Sequence, residues 1–259
     1  MAGLTAGNLL GEGGPSPFEL YNAKGRSPFL LLGDHAGSAL PACLEDLGLS
    51  AADRARHIAV DIGTYGLGLA LADALDATFV HQTYSRLVID CNRDPARADA
   101  IPIISDGSRI VGNEGLDGAA RKARTAAIHS PYHEAIAAQI DHRRSDGRET
   151  ILLSLHSFTP VLDGFVRPWT VGVLHWLGRT DFAKAMLSNL KSGERMCVGD
   201  NLPYQMDATD YTLPRHAFSR DLRYAEIEIR QDLIEDHQGQ RLWADHVQRS
   251  AVAALSRLA

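Results

Sequence analysis

Cysteine is scarce in this chain: Cys43, Cys91 and Cys197 are the only three among 259 residues, and no two are closely spaced. An odd, scattered set argues against a disulfide framework and against a cysteine-built zinc module, and it fits a reducing compartment. No apolar run approaches the ~18 uninterrupted residues that a membrane-spanning helix needs. A surplus of basic charge is missing too, since 26 Lys and Arg face 32 Asp and Glu for a net charge of −6. Without a global basic field no nucleic-acid partner is expected, and holding a small anion requires a local cluster of cations. The opening Met-Ala-Gly-Leu-Thr lacks the basic segment and apolar core of a signal peptide, so a cytoplasmic, soluble protein is expected. There is no phosphate-binding glycine loop, because Gly63, Gly66 and Gly68 fall inside a helical pattern. There is also no Gly-x-Ser-x-Gly elbow to present a serine nucleophile.

What is present is an alternation of strand and helix patterns. The apolar run from Ile151, bounded by charge before it and Pro160 after it, predicts a buried strand ending at His156. Phe29 to Leu32 predicts a second strand leading through Gly33 into Asp34-His35, and Arg86 to Asp90 a third leading into Cys91-Asn92-Arg93. Ligand sites in open α/β sheets gather at the carboxyl ends of strands, which would bring His156, His35 and Asn92-Arg93 to one crevice. Further strands are expected at Thr78 to His81, Thr170 to Leu174, Arg195 to Val198 and Tyr224 to Ile229. A short helix is expected from Pro41, and a longer one where Ile62, Tyr65, Leu69, Ala72 and Leu75 recur at helical spacing. Other helices are expected on the ladder Ile128, Tyr132, Ile136 and Ile140, over Phe182 to Leu190, and from Trp243 to Leu258. Residues 94–115 and 199–221 are punctuated, polar and expected to be loops, the first a lid or pocket wall. This alternation predicts an α/β fold, a three-layer α/β/α sandwich with a mostly parallel or mixed sheet. No repeat or composition break marks a second domain, so residues 1–259 are expected as one domain, with residues 1–27 a loop-rich lead-in.

Several residues in this frame can carry chemistry. His35 and His156, each structural more often than not when taken alone, become a credible zinc pair on two separate strand ends. The third ligand is either Asp34, beside His35, or Asp61, which stands in or just before the first turn of the following helix. The plain alternatives are an outward loop carboxylate for Asp34 and a helix cap for Asp61. His129 and His133 share a helix face at metal-competent spacing, yet Pro131 disturbs the helix start, and a pocket or capping role competes. Arg86, Asn92 and Arg93 offer a guanidinium fork and an amide for a carboxylate, against a plain reading as salt bridges to Asp90 or Asp94. Glu226 and Glu228 share a strand face, where two buried carboxylates are costly, so at least one must reach a polar site or solvent. Glu228 is a candidate general base.

Four segments together carry a resemblance: Asp34-His-Ala-Gly-Ser-Ala-Leu-Pro41, Tyr84-Ser-Arg-Leu-Val-Ile-Asp-Cys-Asn-Arg93, Leu155-His-Ser-Phe-Thr159 and Glu228-Ile-Arg-Gln-Asp-Leu233. In this order they resemble the N-formylglutamate amidohydrolase family, from about residue 28 to the C-terminal helix. The resemblance implies a fold like that of the zinc exopeptidases and zinc amidases, with Zn2+ or another divalent metal as cofactor. By it His35 and His156 match metal ligands, Glu228 the general base, Asn92 and Arg93 the clamp on a substrate carboxylate, and Arg86 a group polarising the scissile carbonyl. Zinc carboxypeptidases carry Glu three residues after the first ligand His, where this chain has Ser38. Peptidoglycan amidases take their acidic ligand from the start of the next helix, which favours Asp61 as the third metal ligand. The implied reaction is hydrolysis of an N-acyl amino acid, N-formyl-L-glutamate to formate and L-glutamate in the first instance, with a small-molecule carboxylate as the partner. The alternatives are another N-acyl amino acid, a cell-wall peptide, or a carboxylate-binding relative without catalysis.

Overall fold

A computed structural model describes residues 5–192 and 196–258. Seven strands form one sheet: β1 (Phe18–Tyr21), β2 (Phe29–Gly33), β3 (Thr78–Gln82), β4 (Ile151–Phe158), β5 (Val171–Leu174), β6 (Val198–Asp200) and β7 (Arg223–Arg230). Their order across the sheet is β1-β3-β2-β4-β7-β5-β6. The pairs β3–β2, β2–β4, β4–β7 and β5–β6 are parallel, whereas β1–β3 and β7–β5 are antiparallel. The central strands read as largely apolar runs because helices cover both faces, except where the carboxyl ends of β4 and β7 open on a cleft.

On one face Leu31, Leu153, Leu155, Ala225 and Ile227 pack against α1 (Thr64–Leu75), α4 (Asp181–Lys191) and α6 (His237–Ser256). On the other, Leu30, Leu152, Val80 and Tyr224 meet Tyr132, Ile136 and Ile140 of α3 (Ser130–Ser145). A fully buried side chain of this kind contributes about 1.5–3 kcal/mol, so these two layers dominate what holds the sheet. The expected three-layer α/β/α arrangement with a mostly parallel, mixed sheet is therefore present. Among the described residues no helix is long and apolar enough to cross a membrane.

Several expectations need correction in detail. Residues 86–88 form a turn and 89–90 irregular backbone rather than a strand. Ser85 starts a turn there, its carbonyl accepting from Val88 N–H and its hydroxyl from Leu87 N–H, while Leu87, Val88 and Ile89 still fill the second core layer. Strand β4 runs two residues beyond His156, so this histidine projects from the strand and does not end it. The helix expected around Ile128 is built in three parts: α2 (Gly118–Arg124), a π turn over Thr125–His129, and α3 with Pro131 in its first turn. The strand expected at Arg195 to Val198 lies further on, over Val198–Asp200, and Arg195 falls outside the described residues. The expected loop at 199–221 contains α5 (Thr212–His216) and a 3-10 turn, and that at 94–115 holds a two-residue ladder pairing Ile104 with Arg109. The lead-in carries one helical turn, Ala6–Leu9, besides β1, and only a 3-10 turn, Ala42–Leu44, follows Pro41.

Candidate metal and catalytic site

The face of β4 and β7 that carries the second core layer changes character along its length. Leu152 is aligned with Tyr224, Ser154 with Glu226 and His156 with Glu228. Because alternate residues share a face, an apolar pair at the amino end gives way to two polar pairs at the carboxyl end. His35 arrives there just after β2. Gly37 lets its segment pass so close to Thr83 that a Cβ would lie 2.0 Å from the Thr83 carbonyl oxygen. Asp61 is tied to His35 through the backbone, its N–H donating to the His35 carbonyl at 3.0 Å. Gly63, at a φ of 83°, then turns the chain into α1, which starts three residues after Asp61.

These elements bring His35, Asp61 and His156 together as one buried group whose ligand atoms all lie within 4.8 Å of one another. Asp61 Oδ2 is 3.4 Å from His35 Nδ1 and 3.0 Å from His156 Nδ1. Ligand bonds of 2.0–2.1 Å in a tetrahedral site separate neighbouring ligand atoms by about 3.3 Å, so these spacings fit a zinc-sized ion. The other ring nitrogens are occupied from outside. His35 Nε2 meets Asp90 Oδ1 at 2.7 Å, and His156 Nε2 meets Ser154 Oγ at 3.1 Å and Asp34 Oδ2 at 3.4 Å. A carboxylate behind each imidazole fixes the tautomer that leaves Nδ1 free for an ion.

Electrostatics agrees with this assignment. Burial and the Arg86 guanidinium push the His35 pKa down, but Asp90 and Asp61 outweigh them and hold it above its ordinary value. Burial likewise opposes protonation of His156, yet Glu226, Asp34 and Asp61 raise its pKa well above the usual range. Burial is also overcome at Asp61, whose pKa is driven far below the carboxylate range by His35, His156 and Arg86. Carboxylates that draw a proton onto these rings attract a metal cation by the same field.

The two aspartates separate cleanly in this geometry. Asp34 faces the rear of His156 and accepts from Tyr132 Oη and Thr212 Oγ1 at 2.8 Å each and from Ser154 Oγ at 3.3 Å. Asp61 faces the Nδ1 atoms. His129 and His133 lie elsewhere, with ring centroids 4.5 Å apart, and they contact the carbonyls of Arg93 (3.0 Å) and Cys91 (2.9 Å). They brace the 91–93 segment from α3 and its preceding turn. Among the described residues the only His, Cys, Asp or Glu group spaced to share an ion is His35, Asp61 and His156.

A cleft of about 290 Å³ opens on this group and is also lined by Arg86, Asn92, Arg93, Tyr204, Asp210, Glu226 and Glu228. Arg86 forks onto Asp90 through Nε (3.2 Å) and Nη2 (2.7 Å) and reaches Asp61 through Nη1 (3.2 Å). Its pairing with Asp90, the plain alternative, is thus real, and it leaves two of a guanidinium's five N–H groups without a partner among the described residues. Asn92 Oδ1 accepts from the backbone N–H groups of Tyr211 and Thr212, and its Nδ2 donates to Asp210. Arg93 donates Nη1 to the carbonyls of Asn92 and Thr209 and lies 3.6 Å from Asp210.

Glu228 is buried, and its Oε2 has no hydrogen-bond partner among the described residues. Burial above all, with Asp61 adding and His156 opposing, lifts its pKa to about 7. Glu226 is raised well above the carboxylate range, again by burial first, despite the opposing His156. Both expected carboxylates therefore reach the same polar cleft. Sequence reasoning did not identify Asp90 and Ser154 as orienting partners, nor Tyr204 and Asp210 as cleft residues. The two-residue alternation Ser154-x-His156 carried a signal for Ser154, but nothing local marks Tyr204.

A model of the N-formylglutamate amidohydrolase family matches residues 27–235, a span that contains every cleft residue named above. No curated protein matches the chain. Among solved structures it is similar to a gene product of Agrobacterium tumefaciens, at 34% identity and a TM-score of 0.93, covering 97% of this chain and 99% of that one. It shares its fold with an N-formylglutamate amidohydrolase from Ralstonia eutropha JMP134, at 18% identity and a TM-score of 0.67, over 94% and 99% of the two chains. With the family match spanning six of the seven strands and all of the cleft residues named, this chain belongs to the N-formylglutamate amidohydrolase family.

Proposed function

We propose that this chain hydrolyses the amide bond of an N-acyl amino acid, with N-formyl-L-glutamate as the leading substrate and zinc as the metal. The observation that carries this reading is the unpartnered Glu228 carboxyl in the same cleft as the His35–Asp61–His156 group. When bound by those three residues, zinc supplies a Lewis acid able to acidify water to a pKa of about 7. Glu228 accepts a proton from the attacking water and returns it to the amine nitrogen as the carbon–nitrogen bond breaks. A carboxyl with a pKa near 7 suits both halves of that transfer. Arg93 and Asn92 hold the free carboxylate of the amino acid, Arg93 giving up its loose contact with Asp210, while the Asn92 oxygen keeps the 209–212 segment in place. The two remaining N–H groups of Arg86 are available to the scissile carbonyl. The products are formate and glutamate when the acyl group is formyl.

The test combines metal analysis of protein purified without added metal with a panel of N-acyl amino acids that includes N-formyl-L-glutamate. Glu228→Gln should lower turnover by about 10²–10⁴-fold, the usual contribution of a general base, while retaining metal. Glu226→Gln is the control that makes the same change at the neighbouring carboxyl group on that strand face. Native protein free of metal and inactive across the panel would refute the reading. A fully active Glu228→Gln would move the base elsewhere.

A further inference from the structure

Beside the cleft stands a tyrosine–arginine pair that the mechanism above does not use. Arg167 is 5% exposed and has no ion-pair partner among the described residues. Its Nη1 donates to Tyr204 Oη at 2.9 Å, and its guanidinium carbon lies 4.7 Å from the centroid of the same ring. Burying a cation without a counter-charge is costly, so the contact with the phenol calls for an explanation beyond packing.

The hydrogen-bond bookkeeping supplies one. Arginine has donors only, so Tyr204 Oη is the acceptor in this contact and its own O–H must point elsewhere. No described residue accepts that proton, and Tyr204 lines the cleft together with Asp61, Arg86 and Glu228. Its phenol shares an electrostatic field with all three. Burial, and then the Glu228 charge, raise its pKa, so the proton is retained at neutral pH. Arg86, by contrast, has three N–H groups committed to Asp61 and Asp90. Tyr204 is thus a neutral donor with no acceptor among the described residues, in the cleft that also holds Asp61 and Glu228, whereas the carboxylate clamp Arg93 sits with Asn92, Thr209 and Asp210.

We infer that Tyr204 is a catalytic residue whose hydroxyl donates a hydrogen bond to the scissile carbonyl oxygen as it gains charge, with Arg167 the positioning residue that aims and polarises the phenol. This rests on the amidohydrolase reading above. No atom is transferred through Tyr204, and its effect belongs to the transition state more than to the bound substrate.

Tyr204→Phe removes the donor and little else. With N-formyl-L-glutamate it should lower kcat by about 10²–10³-fold, the usual cost of losing one such donor, and change KM by less than about threefold. Metal content, thermal midpoint and calorimetric affinity for L-glutamate, a product without that carbonyl, should match native protein. Arg167→Gln should lower kcat, and Arg167→Lys should restore part of it. In the Tyr204→Phe background Arg167→Gln should add almost nothing, because its effect runs through the hydroxyl. Three results would overturn the inference: near-native kcat in Tyr204→Phe, a loss confined to KM or to L-glutamate affinity, or an Arg167→Gln effect equally large without the hydroxyl. No hydrolysis of any N-acyl amino acid by native protein would remove the amidohydrolase reading and this inference together. Unimpaired Tyr204→Phe beside active native protein removes the inference alone.

Discussion

At the scale of single residues, the division between Asp34 and Asp61 is decided by which side of a histidine each occupies. Asp61 Oδ2 faces both Nδ1 atoms, while Asp34 stands behind His156 and is further held by Tyr132 and Thr212. Asp61→Ala should therefore abolish stoichiometric metal binding. Asp34→Ala should keep the three direct ligands but weaken affinity by about 10–100-fold, the usual effect of losing a carboxylate behind a ligand histidine. Competition against a chromophoric chelator measures both, and an Asp34→Ala protein that binds no metal while Asp61→Ala binds normally would exchange the two assignments. The ionisation of Asp34 follows the same logic, since His156 and other histidines bring it to about 2 although burial opposes them.

Elements carry these residues into place, and here sequence and structure can be weighed. Strands β2, β3, β4 and β5 were legible as largely apolar buried runs, and β7 by its alternation of Glu226 and Glu228 with apolar residues. The run Leu87-Val-Ile89 has the same apolar signature yet forms a turn and irregular backbone, because a short apolar stretch records burial and not the backbone shape that achieves it. His35, Asp61 and His156, the group that could hold a metal, stood out in the sequence, but Tyr204, Arg167 and Asp210 come from irregular segments that only tertiary packing positions. Gly63 links both kinds of element. It sits at a φ of 83°, and a Cβ there would lie 2.1 Å from the Ile234 carbonyl oxygen. Gly63→Ala should destabilise the protein by about 2 kcal/mol or more, through left-handed backbone strain and displacement of the segment before α6. Because Asp61 is two residues away, metal affinity should fall with it. Urea unfolding and metal titration on one preparation check both, and a variant as stable as native would show that the turn relaxes freely.

For the whole molecule, pH enters through histidines outside the His35–Asp61–His156 group. Burial, with Arg220 and Arg215 adding, depresses His216 to about 3, and His133 beside it is also lowered, by burial first. A depressed base stays neutral in the folded chain while the unfolded chain, titrating near 6.5, takes up the proton. The stability from His216 is thus complete above the unfolded value and declines as pH falls toward the folded one. Between pH 7 and pH 5 this amounts to about 2 kcal/mol. Replacing His216 with Gln should make the loss between those two pH values smaller by about that amount, measured as the difference in urea-unfolding free energy. An unchanged pH dependence would mean that His216 becomes charged without cost.

The register of β4 and β7 has a further consequence, for the order of events in time. His156 faces Glu228 only once these parallel strands are aligned, and the other two members of the buried group, His35 and Asp61, lie about a hundred residues earlier in the chain. Parallel pairing across such separations is a late and slow event, since a large loop must close before any contact rewards it. A metal held by all three residues then has nothing complete to bind in the ensemble that precedes the barrier. Removing it with a chelator should speed unfolding in proportion to the lost affinity and leave the refolding rate unchanged. Stopped-flow traces with and without chelator would reveal this as a shift of one chevron arm alone. A metal-dependent refolding arm would mean that the ligands meet before the central strands do.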